Sequence, residues 1–231
     1  MLLDESRLEN RRRGVAKGKR GIARANFDIR LAAPGCNAGI MIFDAVILAG
    51  GKSSRMGRDK AWLEVGGRPL VLRQIELVRR LKPRRLYLSG NSDGPLAGLG
   101  LPVLADAFQQ SGPLAGIERA LLEAKDVPLL VLAVDMPHMS LRCLRYLMRH
   151  CAQWRGAVPQ LDGRLEPLAA VYPAAAWRLA HACLSENCLC VQSFAEICHA
   201  DKLVTFFEWP AASRECLSNW NRPEDVMLSG D

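Results

Sequence analysis

Two apolar segments, 42–48 and 129–134, constrain the fold more than any other feature of this sequence. They read IFDAVIL and LLVLAV, and such nearly continuous apolar runs are typical of strands buried on both faces. The sequence predicts further strands at 85–89, 102–105, 168–172 and 203–207. Helices are predicted at 70–81, 112–125, 140–149 and 174–184. This alternation predicts an α/β fold with three layers (α/β/α), in which helices cover both faces of a mostly parallel sheet.

The length and composition fit one globular domain. The chain has 231 residues, of which 49% are hydrophobic and 24% are charged, as in ordinary globular proteins. It contains no apolar run long enough to span a membrane. The basic N-terminus lacks the apolar stretch and the cleavage site of a secretory signal. These features predict a cytoplasmic protein without membrane association.

The net charge is concentrated at the N-terminus. Residues 1–40 hold nine Lys/Arg against four Asp/Glu, so they carry +5 of the net charge of +7. We expect this segment to be a basic, disordered extension, followed by the folded domain at 41–231. Met41 directly precedes the first strand, which suggests that translation starts there; the intact mass of the native protein tests this. A basic tail can bind nucleic acid through phosphate contacts, but it can equally be an extension with no role, so the tail alone does not predict nucleic-acid binding.

Eight cysteines raise the question of disulfides or a metal site. A chain of this size without an export signal is expected to keep its thiols reduced. The densest group contains no C-x-x-C pair and matches no usual zinc spacing: Cys183, Cys188, Cys190, Cys198 and His199. We therefore interpret these cysteines as small buried hydrophobic side chains.

The loop after the first strand has the composition of a polyphosphate site. It reads LAGGKSSRMGRDK from Leu48 to Lys60. Adjacent glycines allow the backbone N–H groups to approach phosphate oxygens closely. Four cations within nine residues repel one another unless an anion neutralises them. The spacing fits neither the P-loop nor the dinucleotide-binding fingerprint. The alternative to a polyphosphate site is a solvated basic loop.

Asp135 ends the second buried strand, at the edge of a parallel sheet where ligands bind. A strand-end aspartate often caps the next helix, but Ser140 is better placed for that role. A carboxylate that faces a triphosphate needs a cation between them, and Mg²⁺ is the usual one. The sequence thus predicts Mg²⁺ as the cofactor and Asp135 as its ligand.

The loop resembles the signature LAGGxSxRMGxDK of the molybdenum cofactor guanylyltransferases, which belong to the GT-A-like nucleotidyltransferases. The resemblance implies a Rossmann-like (GT-A-like) nucleotidyltransferase domain. It also implies that four residues contact the triphosphate of GTP through their backbone: Leu48, Ala49, Gly50 and Gly51. Arg55 and Lys60 would neutralise the phosphates, and together with Asp135 they would form the catalytic set.

Other segments extend the resemblance, which runs from about residue 42 to residue 226. Asp135-Met-Pro137 is similar to the family's magnesium-binding D-x-P motif. Asp106 and the Gly-Pro-Leu-Ala-Gly segment at 112–116 correspond to parts that meet the nucleoside. Asn91 lies near the position of a nucleotide-contacting asparagine.

Two segments resemble parts of the family on the acceptor side and at the metal. Arg164 begins a segment similar to R-x-x-P-L, which would contact an acceptor phosphate; the alternative is a solvated arginine. Asn219-Trp-Asn221-Arg-Pro-Glu is similar to N-x-N-T-P-E, with Arg222 in place of the threonine. An amide oxygen of Asn221 or of Asn219 would complete the magnesium shell, and the sequence does not decide between them.

The resemblance implies transfer of GMP from GTP to the terminal phosphate of molybdopterin, with release of pyrophosphate. The partners would be GTP, molybdopterin and, transiently, the apoenzymes that accept the product. Two alternatives remain within the superfamily, a cytidylyltransferase for the same cofactor and a sugar-1-phosphate nucleotidyltransferase. A catalytically silent nucleotide-binding adaptor is the alternative of a different class.

Overall fold

The computed structural model describes residues 41–50, 60–108, 111–152 and 155–220. Within this part of the chain, eight strands form the main sheet: β1 (Asp44–Leu48), β4 (Leu86–Ser89), β5 (Val103–Leu104), β6 (Leu129–Ala133), β7 (Gly156–Leu161), β8 (Arg164–Leu165), β9 (Ala169–Tyr172) and β10 (Val204–Glu208). The strand order is β10-β7-β9-β6-β1-β4-β5, and β8 pairs with β7. β9 and β8 are antiparallel to their neighbours, whereas the other pairs are parallel. The prediction of a mostly parallel sheet is confirmed.

Five helices accompany the sheet in the described residues: α1 (Leu70–Arg79), α2 (Pro113–Ala124), α3 (Leu141–Arg149), α4 (Trp177–Ser185) and α5 (Val191–Ala200). Short 3₁₀ segments lie at Lys60–Trp62, Pro95–Leu99, Ala174–Ala176 and Ala211–Leu217. A small hairpin of β2 (Glu64–Val65) and β3 (Arg68–Pro69) precedes α1. Gly66 and Gly67 have positive φ angles of 57° and 73°, which suits the turn that links these two strands.

The side chains of β1 alternate between two apolar cores, one on each face of the sheet. Ala45 and Ile47 lie in the core that contains the buried side chains of α1 and α3. Val46 and Leu48 lie in the core that contains those of α2, α4 and α5. Because a strand in this position is covered on both faces, its sequence is apolar throughout. The predicted three-layer α/β/α architecture is confirmed.

Most predicted elements agree with the structure to within about two residues, but β2, β3, β7, β8 and α5 were not predicted. Ser140 caps α3 as expected, since its Oγ accepts a hydrogen bond of 3.2 Å from the Cys143 N–H. The predicted helix at 174–184 begins as a 3₁₀ turn and continues as α4. β7 was not predicted because Gly156 and Pro159 interrupt its apolar pattern.

The expectation that all thiols are reduced is wrong for one pair, because Cys143 and Cys216 form a disulfide. The fold brings together the first turn of α3 and the 3₁₀ segment Ala211–Leu217, although the two cysteines lie 73 residues apart. Sequence spacing cannot show such a contact. Four other cysteines in the described residues are free: Cys183, Cys188, Cys190 and Cys198.

The described residues include no helix that is long and apolar enough to cross a membrane. The predicted extension at 1–40 lies outside the described residues, as do 51–59 and 221–231.

Candidate active site

The carboxyl ends of four neighbouring parallel strands meet at one edge of the sheet. Leu48 at the end of β1 is in register with Ser89 of β4 and with Ala133 of β6. Ser89 is in turn in register with Leu104, the last residue of β5. From β1 the chain proceeds to β4 and β5 on one side and then returns to β6 on the other, so the strand order reverses beside β1. Such a reversal opens a ligand crevice at this edge.

Lys60 and Asp135 form an ion pair at the edge, with 2.9 Å between Lys60 Nζ and Asp135 Oδ2. Their side chains are 21% and 18% exposed, so the pair is largely shielded from solvent. Charges in such surroundings interact more strongly than charges on the open surface. The two predicted catalytic residues, which lie 75 positions apart, are thus in direct contact.

Hydrogen bonds from three distant segments hold the backbone around Asp135. The Val134 N–H donates to the Leu48 carbonyl over 3.1 Å, which extends the pairing of β1 with β6. The Trp220 N–H donates to the Asp135 carbonyl over 2.9 Å. Gln74 Nε2 donates to the Met136 carbonyl over 2.6 Å. The loop that carries the carboxylate is therefore fixed on both sides of Asp135.

The start of the glycine-rich loop packs directly on the end of β4. The Ala49 N–H donates to the Ser89 carbonyl over 3.0 Å. A Cβ on Gly50 would lie 3.0 Å from the Gly90 Cα, closer than ordinary packing permits. This close approach of two backbone segments favours glycine at position 50. Leu48, Ala49 and Gly50 begin the loop at the edge, as predicted, whereas Gly51 and Arg55 lie outside the described residues.

Asp106 lies after β5 at the same edge and accepts a hydrogen bond of 3.4 Å from the Ser89 hydroxyl. Burial raises the pKa of Asp106, and the bond from Ser89 opposes this rise. A partly desolvated carboxylate with one weak protein donor is suited to accept hydrogen bonds from a ligand. Asp106 therefore lies at the same edge as Asp135, and its contact with the nucleoside stays a prediction.

Asn91 is exposed and follows β4. Its Oδ1 accepts a hydrogen bond of 3.0 Å from the Asp93 N–H, which stabilises the local turn. The structure thus places Asn91 at the edge of the crevice and gives its amide oxygen a local structural contact.

The segment predicted to be on the acceptor side, residues 164–168, reaches the same edge of the sheet just before the antiparallel strand β9 begins. The Ala133 N–H donates to the Leu168 carbonyl over 2.9 Å, so the residues before β9 lie beside the end of β6. Arg164 in β8 is 74% exposed, and its Nε lies 3.8 Å from Glu166 Oε1. Burial raises the pKa of Glu166, and the charge of Arg164 opposes the rise. Arg164 is thus an exposed cation, in contact with Glu166.

Asn219 adjoins the residue that bonds to Asp135. Its Oδ1 is buried and has no hydrogen-bond partner among the residues that the structure describes. Asn221, the other predicted magnesium ligand, lies outside them. No group of three or more His, Cys, Asp and Glu within the described ranges could hold a metal ion.

Sequence reasoning missed Gln74 and Trp220. Gln74 is a polar residue within the buried stripe of α1, and that break in the apolar pattern was the available signal. Trp220 contributes a backbone N–H, for which no side-chain pattern exists.

Comparison with known proteins gives consistent results. Residues 45–198 match the MobA-like NTP transferase domain family. A probable molybdenum cofactor guanylyltransferase of Opitutus terrae is 34% identical over 182 residues, which cover 78% of this chain and 90% of that protein. A protein of the same description from Pelotomaculum thermopropionicum is 41% identical over 127 residues, or 55% of this chain and 62% of that protein.

Solved structures show the same fold. The crystal structure of molybdopterin-guanine dinucleotide biosynthesis protein A from Archaeoglobus fulgidus has a TM-score of 0.66 at 20% identity and covers 80% of this chain and 96% of that chain. The 2-C-methyl-D-erythritol 4-phosphate cytidylyltransferase from Thermus thermophilus has a TM-score of 0.59 at 22% identity, over 80% of this chain and 95% of that chain. Both are similar to this chain in architecture.

Proposed function

The chain belongs to the MobA-like NTP transferase domain family, and from this premise we propose that it transfers GMP from GTP to the terminal phosphate of molybdopterin. The products are molybdopterin guanine dinucleotide and pyrophosphate. The description that the similar proteins from Opitutus terrae and Pelotomaculum thermopropionicum share supports the choice of both substrates. The observation that carries the proposal is the Lys60–Asp135 pair at the sheet edge where the glycine-rich loop begins.

The reaction requires no nucleophile from the protein, because a phosphate oxygen of the acceptor is already ionised. This oxygen forms a bond to the α-phosphorus of GTP, and the bond from that phosphorus to the pyrophosphate oxygen breaks. Lys60 would stabilise negative charge on the phosphates, and the backbone of residues 48–51 would hold the triphosphate in line. Arg55 is proposed to share the charge stabilisation with Lys60.

The donor set around Asp135 fits Mg²⁺, which prefers oxygen ligands and retains several waters. The carboxylate of Asp135 supplies one such oxygen. The buried Oδ1 of Asn219, without a partner in the described part of the chain, is a second hard oxygen on the adjoining segment. When bound, Mg²⁺ supplies Lewis-acid stabilisation of phosphate charge. We propose Asp135 as its ligand, with Asn219 or Asn221 completing the shell.

Pyrophosphate release tests the proposal. GTP, CTP, ATP and UTP are each supplied with Mg²⁺ and molybdopterin, for the wild type, Asp135→Ala and Asp126→Ala. Asp126 is a matched control, because it is 77% exposed and pairs with Arg84 rather than with a site residue. We expect release with GTP, a loss of about 10²- to 10³-fold in Asp135→Ala by comparison with the deletion of one oxyanion-hole donor, and an unchanged rate in Asp126→Ala.

The comparison of the four nucleotides distinguishes the guanylyltransferase from the alternative functions. Release with CTP would retain the mechanism and replace the guanylyl assignment by a cytidylyl one. Nucleotide binding without release in any arm would favour the catalytically silent adaptor, against which the Lys60–Asp135 contact argues. A cytoplasmic location and transient contacts with cofactor-accepting apoenzymes belong to the same proposal, because the product must reach those apoenzymes.

A further inference from the structure

Gln74 is a polar side chain in the apolar core of the protein. It lies on α1 and is 2% exposed, between buried residues such as Val71 and Val78 of the same helix. Its Oε1 has no hydrogen-bond partner within the described residues. A buried amide that is paired at only one end costs about 1–3 kcal/mol of folding free energy relative to a fully paired group. An apolar side chain of the same length would favour folding more, so stability alone does not account for glutamine here.

The paired end of this amide contacts the loop of Asp135. Gln74 Nε2 donates to the Met136 carbonyl over 2.6 Å and joins positions that lie 62 residues apart. The neighbouring bonds of the loop, at Val134 and at the Asp135 carbonyl, connect backbone groups only. The bond from Gln74 is made by a side chain, so a substitution removes it without altering the backbone elsewhere.

The same helix also supports the segment of Lys60. The Leu70 N–H donates to the Leu63 carbonyl over 2.8 Å, and the Leu63 N–H donates to the Lys60 carbonyl over 3.2 Å. Leu70 and Gln74 lie one turn apart on the buried face of α1. α1 therefore holds the Lys60 segment through the backbone N–H of Leu70 and the Asp135 loop through the side chain of Gln74.

We propose that Gln74 is a positioning residue that sets the Asp135 carboxylate at its working distance from Lys60 and the bound nucleotide. It acts through the Met136 carbonyl and does not touch the substrate. The inference rests on the proposed function above, because the working position is defined by the transfer reaction. Errors of about 1 Å in the placement of a catalytic group cost on the order of 10²-fold in rate, so the loss of this bond is expected to affect turnover rather than substrate capture.

The test compares Gln74→Met with Val78→Ala. Methionine keeps the length of the side chain and removes the donor, while Val78 is an apolar residue buried on the same helix, one turn beyond Gln74. In Gln74→Met we expect kcat to fall by about tenfold or more with KM for GTP within about threefold. The melting temperature should stay equal to that of the wild type or rise. In Val78→Ala the melting temperature should fall, with kcat within about twofold of the wild type.

Two readouts do not depend on turnover. Mn²⁺ binding to the protein–GTP complex, measured by electron paramagnetic resonance, should weaken about tenfold in Gln74→Met, at the lower end of the range for groups that orient a metal ligand. Hydrogen exchange of the segment 134–139 should accelerate, while the strand 129–133 stays protected. If Gln74→Met fails to fold by circular dichroism, Gln74→Asn replaces it, since its shorter amide cannot span the same distance.

The outcomes are distinguishable. Unchanged kcat and Mn²⁺ affinity in a folded Gln74 variant would overturn the positioning role. A fall in melting temperature with unchanged kcat would assign Gln74 to folding alone. A wild-type protein that binds GTP and Mn²⁺ without turnover would overturn the proposed function, and the metal-binding and exchange measurements would still decide the role of Gln74.

Discussion

The close approach of α2 to the sheet at Gly116 leads to a quantitative prediction for Gly116→Ala. A Cβ at this position would overlap the Ser89 hydroxyl oxygen and would lie 3.0 Å from Ser89 Cβ and 3.1 Å from Leu48 Cδ2. All three atoms belong to the ends of strands at the candidate site. The methyl group therefore has no room unless the helix or Ser89 moves.

Two opposing effects set the magnitude. Overpacking of this kind costs about 1–3 kcal/mol, whereas alanine favours a helix over glycine by about 1 kcal/mol. We therefore expect Gly116→Ala to lower the free energy of unfolding by about 0–2 kcal/mol. Displacement of Ser89 also disturbs its hydrogen bond to Asp106, so the affinity for GTP should fall by about tenfold, the equivalent of one hydrogen bond.

A double-mutant cycle with Ser89→Gly isolates the clash, because this change removes both Ser89 side-chain atoms that the methyl group would meet. Urea unfolding of the four proteins should show a favourable coupling of about 1–2 kcal/mol, with GTP affinity measured in parallel by calorimetry. Gly98→Ala is the control, since a Cβ at Gly98 meets nothing within 4 Å. Effects of Gly116→Ala and Ser89→Gly that add within about 0.3 kcal/mol would refute the steric argument.

Two further predictions concern buried carboxylates. Because burial raises the pKa of Asp106, its ionised form destabilises the folded state above that pKa, and the effect vanishes below the unfolded value of about 3.9. Asp106→Asn should therefore raise the free energy of unfolding in urea at pH 7 but not at about pH 3, and it should weaken GTP binding. Equal free energies of unfolding for Asp106→Asn and the wild type at pH 7 would contradict this. Asp44 is fully buried and accepts from Arg84 Nε and Nη2 at 3.0 Å each. Asp44→Ala should cost about 3 kcal/mol in thermal unfolding and Asp126→Ala under about 1 kcal/mol, and equal losses would refute the contrast.

The buried strands were predictable because burial on both faces leaves a continuous apolar run, as in β1 and β6. β7 was not, since Pro159 and Gly156 interrupt its pattern. Gly156 is required by tertiary packing, because a Cβ there would overlap the Val171 carbonyl. This contact joins strands that are distant in sequence. The neighbours of Gly156 along the chain therefore indicate a loop and give no sign of the contact.

The candidate site also combines features that the sequence predicts with features that it does not. The location of Lys60 and Asp135 at the same edge was predictable, because the ends of parallel strands meet there. Their direct ion pair was not, since a separation of 75 residues gives no distance. The disulfide between Cys143 and Cys216 was missed for the same reason.

The position of the Asp135 carboxylate depends on segments from the whole fold. Its loop is held by Leu48 at the end of β1, by Gln74 on α1 and by Trp220 near the C-terminus. Two of these three bonds involve backbone groups alone, so no residue type is required of them. The third uses an amide in a position where packing favours an apolar side chain, and this conflict between local preference and tertiary demand is typical of functional sites. A motif therefore identifies the carboxylate, and the remote anchors determine where it lies.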